Sequence, residues 1–413
     1  MDLKTPLTLL NVRFGLRMSP VAWRNFQLEF AASAIYSFFN VVFNQFYLPF
    51  AIRQGAESFQ VGLLSAAPAI GLLLTPLWTG WIERSNPKPF FVWPNLAARA
   101  LIVLPAFFGV PWVYVGTALV FHVLMGIQAP AYASLVTRIY PSAIRGRLMG
   151  AVRVAMGVLM VPIAFTIGWW TDFAGPTSAL LAASATGVVS ILLMLGVRGL
   201  EPNPVRPAAL KRAPMREQWN VVRENPGLAL FLTATVITGF GHVLAFPLYQ
   251  IVQVDRLGLT NVEIGWARVA YYICLIGAYL LAGRALDKQP PEKVLLFGFF
   301  ALTATPLLYG LIGNYPAVLA GSGLLGIGDA IWDIGILAYV FRIAPGREAV
   351  VFGLHLLLFG VRGTIGPLLS TALVDVVPLI WLFLVGAVFG AAGTILMWRG
   401  IRAAAKREAA PGA

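Results

Sequence analysis

Asp329 and Asp333 stand one helical turn apart inside a long apolar run, 315–341. A charge held at the centre of a bilayer costs about 3 kcal/mol, and two like charges on one helix face also repel. Taking up a proton removes both penalties, so the pair suits a group that binds a proton in one state and releases it in another. His122 and His242 fall at a comparable depth in two other apolar runs, and Asn40 and Asn44 in a third. Arg99 is too deep in its run to reach water, with Asn95 one turn before it, and calls for an internal partner or an anionic ligand. Arg362 is equally deep and is expected to act as counter-ion to the two acids. Trp332, between the acids in sequence, has two readings: stacking on a ligand ring, or packing between helices. Arg153 and Arg268 lie nearer run ends and read as snorkelling side chains. His355 reads as a packing residue.

These groups need elements that hold them at one depth. The chain has 413 residues, 59% hydrophobic and 11% charged, against about 25% charged in an average soluble domain. So few charges do not cover a water-facing surface, and an all-α integral membrane protein is expected. Twelve runs reach the roughly 20 apolar residues that a span needs: 27–51, 58–82, 89–109, 112–138, 148–170, 177–197, 227–252, 261–285, 292–313, 315–341, 350–374 and 379–398. They are too long and too closely joined for barrel strands of about ten alternating residues. Cys274 is the only cysteine and lies inside a run, which excludes an intrachain disulfide and a cysteine metal cluster. The first twenty residues lack a long apolar core and read as a cytoplasmic arm, not a signal peptide.

The net charge of +13 follows the loops. Basic residues gather on the two termini and the loops of one face. Only Arg53 and Arg256 fall on the opposite loops, and Arg99, Arg153, Arg268 and Arg362 lie inside spans. The positive-inside rule then puts both ends in the cytoplasm of a cell (inner or plasma) membrane. With no basic helix or stacking platform, a nucleic-acid role is excluded. The polar stretch 198–226 divides six spans from six. The expected organisation is a cytoplasmic arm 1–26, a six-helix bundle 27–197, a cytoplasmic linker 198–226, a second bundle 227–398 and a cytoplasmic tail 399–413.

The two bundles echo each other. Thr79-Gly80-Trp81-Ile82-Glu83-Arg84 is answered by Gly283-Arg284-Ala285-Leu286-Asp287-Lys288, each putting an acid beside a base at a membrane edge. Ser58-Phe59-Gln60-Val61-Gly62 resembles Asn261-Val262-Glu263-Ile264-Gly265, and Arg138-Ile139-Tyr140-Pro141 resembles Arg342-Ile343-Ala344-Pro345. Gly150, Gly157 and Asp172 match Gly353, Gly360 and Asp375, each 203 residues on. A nearly constant offset points to duplication, and internal repeats are common in transporters.

On these motifs the chain resembles the major facilitator superfamily (MFS) of secondary transporters over essentially its full length. The family's loop pattern Gly-x-x-x-Asp-Arg/Lys is kept at Gly283, Asp287 and Lys288. Its first copy keeps Glu83 and Arg84, with Thr79 and Asn86 in place of its glycines. His122-Val123-Leu124-Met125-Gly126 takes the spacing of a family Arg-x-x-x-Gly element, Arg145-Gly146-Arg147 resembles an Arg-Gly turn, and Gly366-Pro367 resembles part of an exporter element. The resemblance implies two pseudo-symmetric six-helix bundles. It also implies a central path lined by the first, fourth, seventh and tenth spans, and a cytoplasmic gate at Glu83, Arg84, Arg145, Asp287 and Lys288. Polar stripes agree with that path: Ser33, Ser37, Asn40 and Asn44 on the first span, Thr235, Thr238 and His242 on the seventh, and Ser322, Asp329 and Asp333 on the tenth. The expected function is alternating-access transport of a small molecule coupled to protons, with export of a small amphipathic compound favoured. Uptake of a polar nutrient or of a divalent metal is the alternative. An enzyme or a receptor is disfavoured, since the loops are short and hold no histidine, cysteine or Gly-Lys-Ser/Thr phosphate cradle. The chain is expected to be a monomer without a cofactor or a resident metal.

Overall fold

The computed structural model describes residues 11–13, 16–199, 220, 222–343 and 348–409. Twelve membrane-length helices run through these described residues. The first four are α1 (Pro20–Arg53), α2 (Ser58–Arg84), α3 (Pro87–Phe108) and α4 (Pro111–Ile139). The next two share one helical run, Ser142–Leu193, broken at Gly175, whose φ of 75° and ψ of 171° suit glycine alone. The chain reverses there. Asp172 bonds the start of the eighth helix, whereas Leu195 and Val197 return to accept from Lys88 at the start of α3. Residues 142–174 are therefore α5 and 176–193 are α6. The second half holds α7 (Pro226–Arg256), α8 (Asn261–Leu286), α9 (Pro291–Ile312), α10 (Tyr315–Ile343), α11 (Glu348–Leu373) and α12 (Leu379–Ala409).

Each apolar run becomes a helix because a bilayer offers the backbone no partners, so every amide must bond within its own segment. Helix starts follow local chemistry. Ser19 accepts from Ala22 N at 3.1 Å and Pro20 opens the first turn, which starts α1 ahead of the apolar run and buries Asn25 and Glu29. In one detail the chain is not all helical: Asn11–Arg13 (β1) and Leu16–Met18 (β2) pair antiparallel, Asn11 opposite Met18.

The two halves repeat their packing. α2 lies on α4 as α8 lies on α10, and α3 on α4 as α9 on α10. The halves meet along two seams, α2 with α11 and α5 with α8. Contact runs from the face opposite the termini, called here the far face, to about mid-depth, where Gly360 lies against Leu73 and Gly157 near Ile276. A Cβ on Gly265 of α8 would lie 3.4 Å from the Gly168 backbone of α5, while Gly150, Gly277, Gly283 and Gly353, toward the terminal face, meet open space. The apolar core divides the same way. One continuous cluster joins Phe39, Phe43 and Phe121 to Tyr249, Tyr272 and Phe383 across both halves. Nearer the terminal face each half keeps its own cluster, one around Phe26 and Leu135, the other around Phe231 and Val340. The molecule is closed at the far face and open at the terminal face.

Candidate functional site

α10 packs closely on α8 because Gly326 lies against the Tyr271 carbonyl and the Leu275 amide. That approach brings the Tyr271 hydroxyl to Asp329, donating to Oδ2 at 2.9 Å. On the other side, His242 of α7 places Nε2 at 3.9 Å from Asp329 Oδ1, with side chains 19% and 34% exposed. This gap is too long for a hydrogen bond, and His242 Nδ1 has no partner. One turn on, Asp333 accepts from the Tyr279 hydroxyl at 2.7 Å at an exposed position. Among the described residues neither acid has a lysine or arginine at ion-pair distance.

Asp329 and His242 thus come together as the sequence suggested, and the remaining groups disperse. Arg362 is not the counter-ion of the acids. It is 4% exposed, donates to the Thr235 carbonyl, and lies 5.1 Å from the Trp332 ring and 5.5 Å from the Phe359 ring. Gly239 leaves the space its guanidinium fills. Trp332 takes the packing reading, with Phe299 at 5.3 Å and His355 at 6.2 Å. Arg99 finds an internal partner, donating to the Gly187 carbonyl at 3.1 Å and Ser190 Oγ at 2.5 Å, with its charge 4.2 Å over the Tyr36 ring. Arg268 does not snorkel: it is 3% exposed and donates to Gln250 at 2.8 Å and Gln253 at 3.0 Å. Arg153 is exposed.

His122 lies half-buried beside Phe43 at 5.7 Å and Phe121 at 5.1 Å. Asn40 is half-buried and Asn44 exposed. The hydroxyl stripes turn away from the path. Ser37 and Thr235 are fully buried and bond carbonyls of their own helices, and Ser322 is buried beside Tyr309. A Ser or Thr can satisfy itself on the preceding turn, so these residues need no cavity.

One buried acid escaped the sequence reading. Glu29 of α1 is 2% exposed and accepts from the Tyr132 and Tyr140 hydroxyls, each at 2.5 Å. Its signal was present: an acid in an apolar stretch, one turn after Asn25. At the terminal face Asp287 and Lys288 are exposed and make no side-chain bond among the described residues. Among the described residues Arg145 bonds only the nearby Thr137 and Tyr140 carbonyls, at 3.2 and 3.1 Å. The side chains of Glu83 and Arg84 lie outside the described residues.

Two six-helix halves, joined at one face and parted at the other around a half-buried acid and histidine, define a two-bundle helical membrane protein. The sequence profile of the Major Facilitator Superfamily matches residues 29–260 and 232–413, and the chain belongs to that superfamily. It is 33% identical over 152 residues to the MFS-type transporter poxA of Penicillium oxalicum, covering 36% of this chain and 25% of that protein. It is 29% identical over 131 residues to the rubrofusarin-specific efflux pump aurT of Gibberella zeae, covering 32% and 24%. It is 24% identical over 179 residues to the multidrug transporter protein MdtP of Bacillus subtilis, covering 42% and 32%. The matched region is thus about a quarter to a third of these relatives' length. Among solved structures, the nucleoside transporter NupG superposes with a TM-score of 0.70 at 11% identity, covering 93% of this chain and 98% of that one. A bacterial homologue of the lysosomal transporter Spinster, inward-facing and unoccupied, gives 0.62 at 12% identity, covering 93% and 96%. At such identities the structures share the fold.

Proposed function

We propose that this chain is a proton-coupled secondary transporter that exports a small amphipathic compound by alternating access. The observation that carries the reading is Asp329, half-exposed in the middle of α10, bonded to Tyr271, facing His242, and free of any lysine or arginine partner among the described residues. A carboxylate so placed gains by taking a proton and gives it up where water and counter-charges reach it. The charge rule puts both termini in the cytoplasm of the cell membrane, so the terminal face is the cytoplasmic one and the geometry here is open inward. The bundles 27–197 and 227–398 are the two units of that motion. The halves rock about the α2–α11 and α5–α8 seams. Glu83, Arg84, Arg145, Asp287 and Lys288 come together as a cytoplasmic gate when the far face opens. Asn40, Asn44, His122 and Asp333 line the path, and Arg99, Trp332 and Arg362 brace the helices around it. Efflux and multidrug transport in two partial relatives support the direction.

Reconstitution in liposomes tests the reading, with ethidium as an amphipathic probe and uridine as a polar one. The expected result is ethidium movement that follows an imposed pH gradient and loses that response in Asp329→Asn. Flux of either probe that ignores the gradient would overturn proton coupling. Gradient-driven uptake of uridine without ethidium movement would replace export by nutrient uptake.

A further inference from the structure

The repeated motifs that the transport reading leaves unused meet each other at the far face. α2 and α8 open with the same device, a reciprocal cap between Glu57 and Gln60 in one and between Thr260 and Glu263 in the other. The remaining first-turn amides of such a helix normally go to water. Here Asp172, from the far end of α5, crosses to the other half and takes two of them: Oδ1 accepts from Asn261 N at 2.8 Å and Oδ2 from Val262 N at 2.9 Å. The aligned dipoles of α8 favour a negative charge at that place. Arg53 binds the same seam by donating to the Leu259 carbonyl.

The mirror copy lies between α11 and α2 and is weaker. Asp375, 203 residues after Asp172, accepts from Ser58 Oγ at 2.9 Å and makes no other bond among the described residues. Arg256, the counterpart of Arg53, bonds nothing among them. A pocket of about 190 Å³ opens beside them, lined by Ser58, Arg256 and Asp375 among others.

We infer that Asp172 and Asp375 are paired latches that hold the far face shut, and that the α5–α8 latch is the stronger of the two. Both sets of bonds join one half to the other, so opening the far face must break them. The two backbone amides at Asp172 make that break the costlier one. The pairing is independent of which compound is carried and of what drives it.

The test is a distance measurement on the full-length protein in lipid nanodiscs. Nitroxides go on Trp112→Cys and Leu311→Cys, two exposed far-face positions in opposite halves, in a Cys274→Ser background. Asp172→Asn is expected to raise the ratio of long to short distances about tenfold, and Asp375→Asn about twofold. Asn261→Pro keeps the carboxylate and deletes one of its donors at a position where proline suits the first helical turn. It should raise the ratio by an intermediate factor, and it reads the same latch if Asp172→Asn does not fold. The proposal is overturned if the distances do not change, whether or not a variant melts lower. It is equally overturned if Asp375→Asn matches or exceeds Asp172→Asn.

Discussion

Replacing Gly326 by alanine should damage the proton site from a distance, through packing alone. A Cβ at this position runs into the Tyr271 carbonyl and comes within 3.1 Å of the Leu275 amide. Both are backbone atoms, so no rotamer relieves the clash. α8 and α10 must part by roughly 1 Å to restore van der Waals distance. The Tyr271–Asp329 bond, 2.9 Å long, then passes out of hydrogen-bonding range. Overpacking costs about 1–3 kcal/mol, and loss of a hydrogen bond to a carboxyl group about 1–2 kcal/mol. Together they amount to about 3 kcal/mol, or a melting temperature lower by about 10 °C for a half-chain of this size. Thermal unfolding of purified Gly326→Ala, Tyr271→Phe and the double variant measures the linkage. Tyr271→Phe should cost about 1 kcal/mol in the parent and almost nothing beside Gly326→Ala, because the bond is already gone. Gradient-driven ethidium flux should fall alike in all three. The reasoning fails if Tyr271→Phe costs as much in the alanine background, or if Gly326→Ala melts and transports like the parent.

Three further outcomes follow from the geometry. In double-mutant cycles on thermal unfolding, Arg362→Met should couple to Trp332→Leu by about 1–2 kcal/mol; a larger coupling to Asp329→Asn would restore the counter-ion role. Gly175→Ala forces a side chain into backbone geometry with φ 75° and should destabilise by about 1–3 kcal/mol; an unchanged denaturation midpoint would show that the α5–α6 reversal tolerates other geometries. Asp287→Asn should leave the stability of the protein within about 0.5 kcal/mol, since the side chain is exposed and unbonded here, yet slow probe flux in liposomes; unaltered flux would remove Asp287 from the gate.

Much of the architecture was legible in the residues, because it depends on local quantities. Hydropathy over about 20 residues sets a span, and all twelve runs hold a helix. The start of α1 at Ser19 and Pro20 and the break at Gly175 emerged only in the structure, the apolar run of the first span starting at residue 27. Gly62 and Gly265, or Asp172 and Asp375, announce duplication by their spacing. The acids of α10 were visible as charges with no place in an apolar run. Glu29 was equally visible, but its stretch was assigned to the edge of a span.

What the letters did not contain was which face of each helix looks inward. Lipid-facing and helix-facing surfaces are both apolar, so hydropathy does not separate them, and close approach at small residues decides the packing. Gly239 makes room for Arg362 under Trp332, and that draws the guanidinium away from Asp329. Gly326 brings Tyr271 to the same acid. The polar stripes at Ser37, Thr235 and Ser322 were real patterns, but their hydroxyls are satisfied within their own bundles. Likewise, Asp172 could be matched to Asp375 by counting, whereas its grip on the first amides of α8 exists only where the two halves touch. The sequence by itself determined the spans, the repeat and the chemical groups available. The tertiary structure decided their partners, because partnership in a membrane depends on how near two backbones can come.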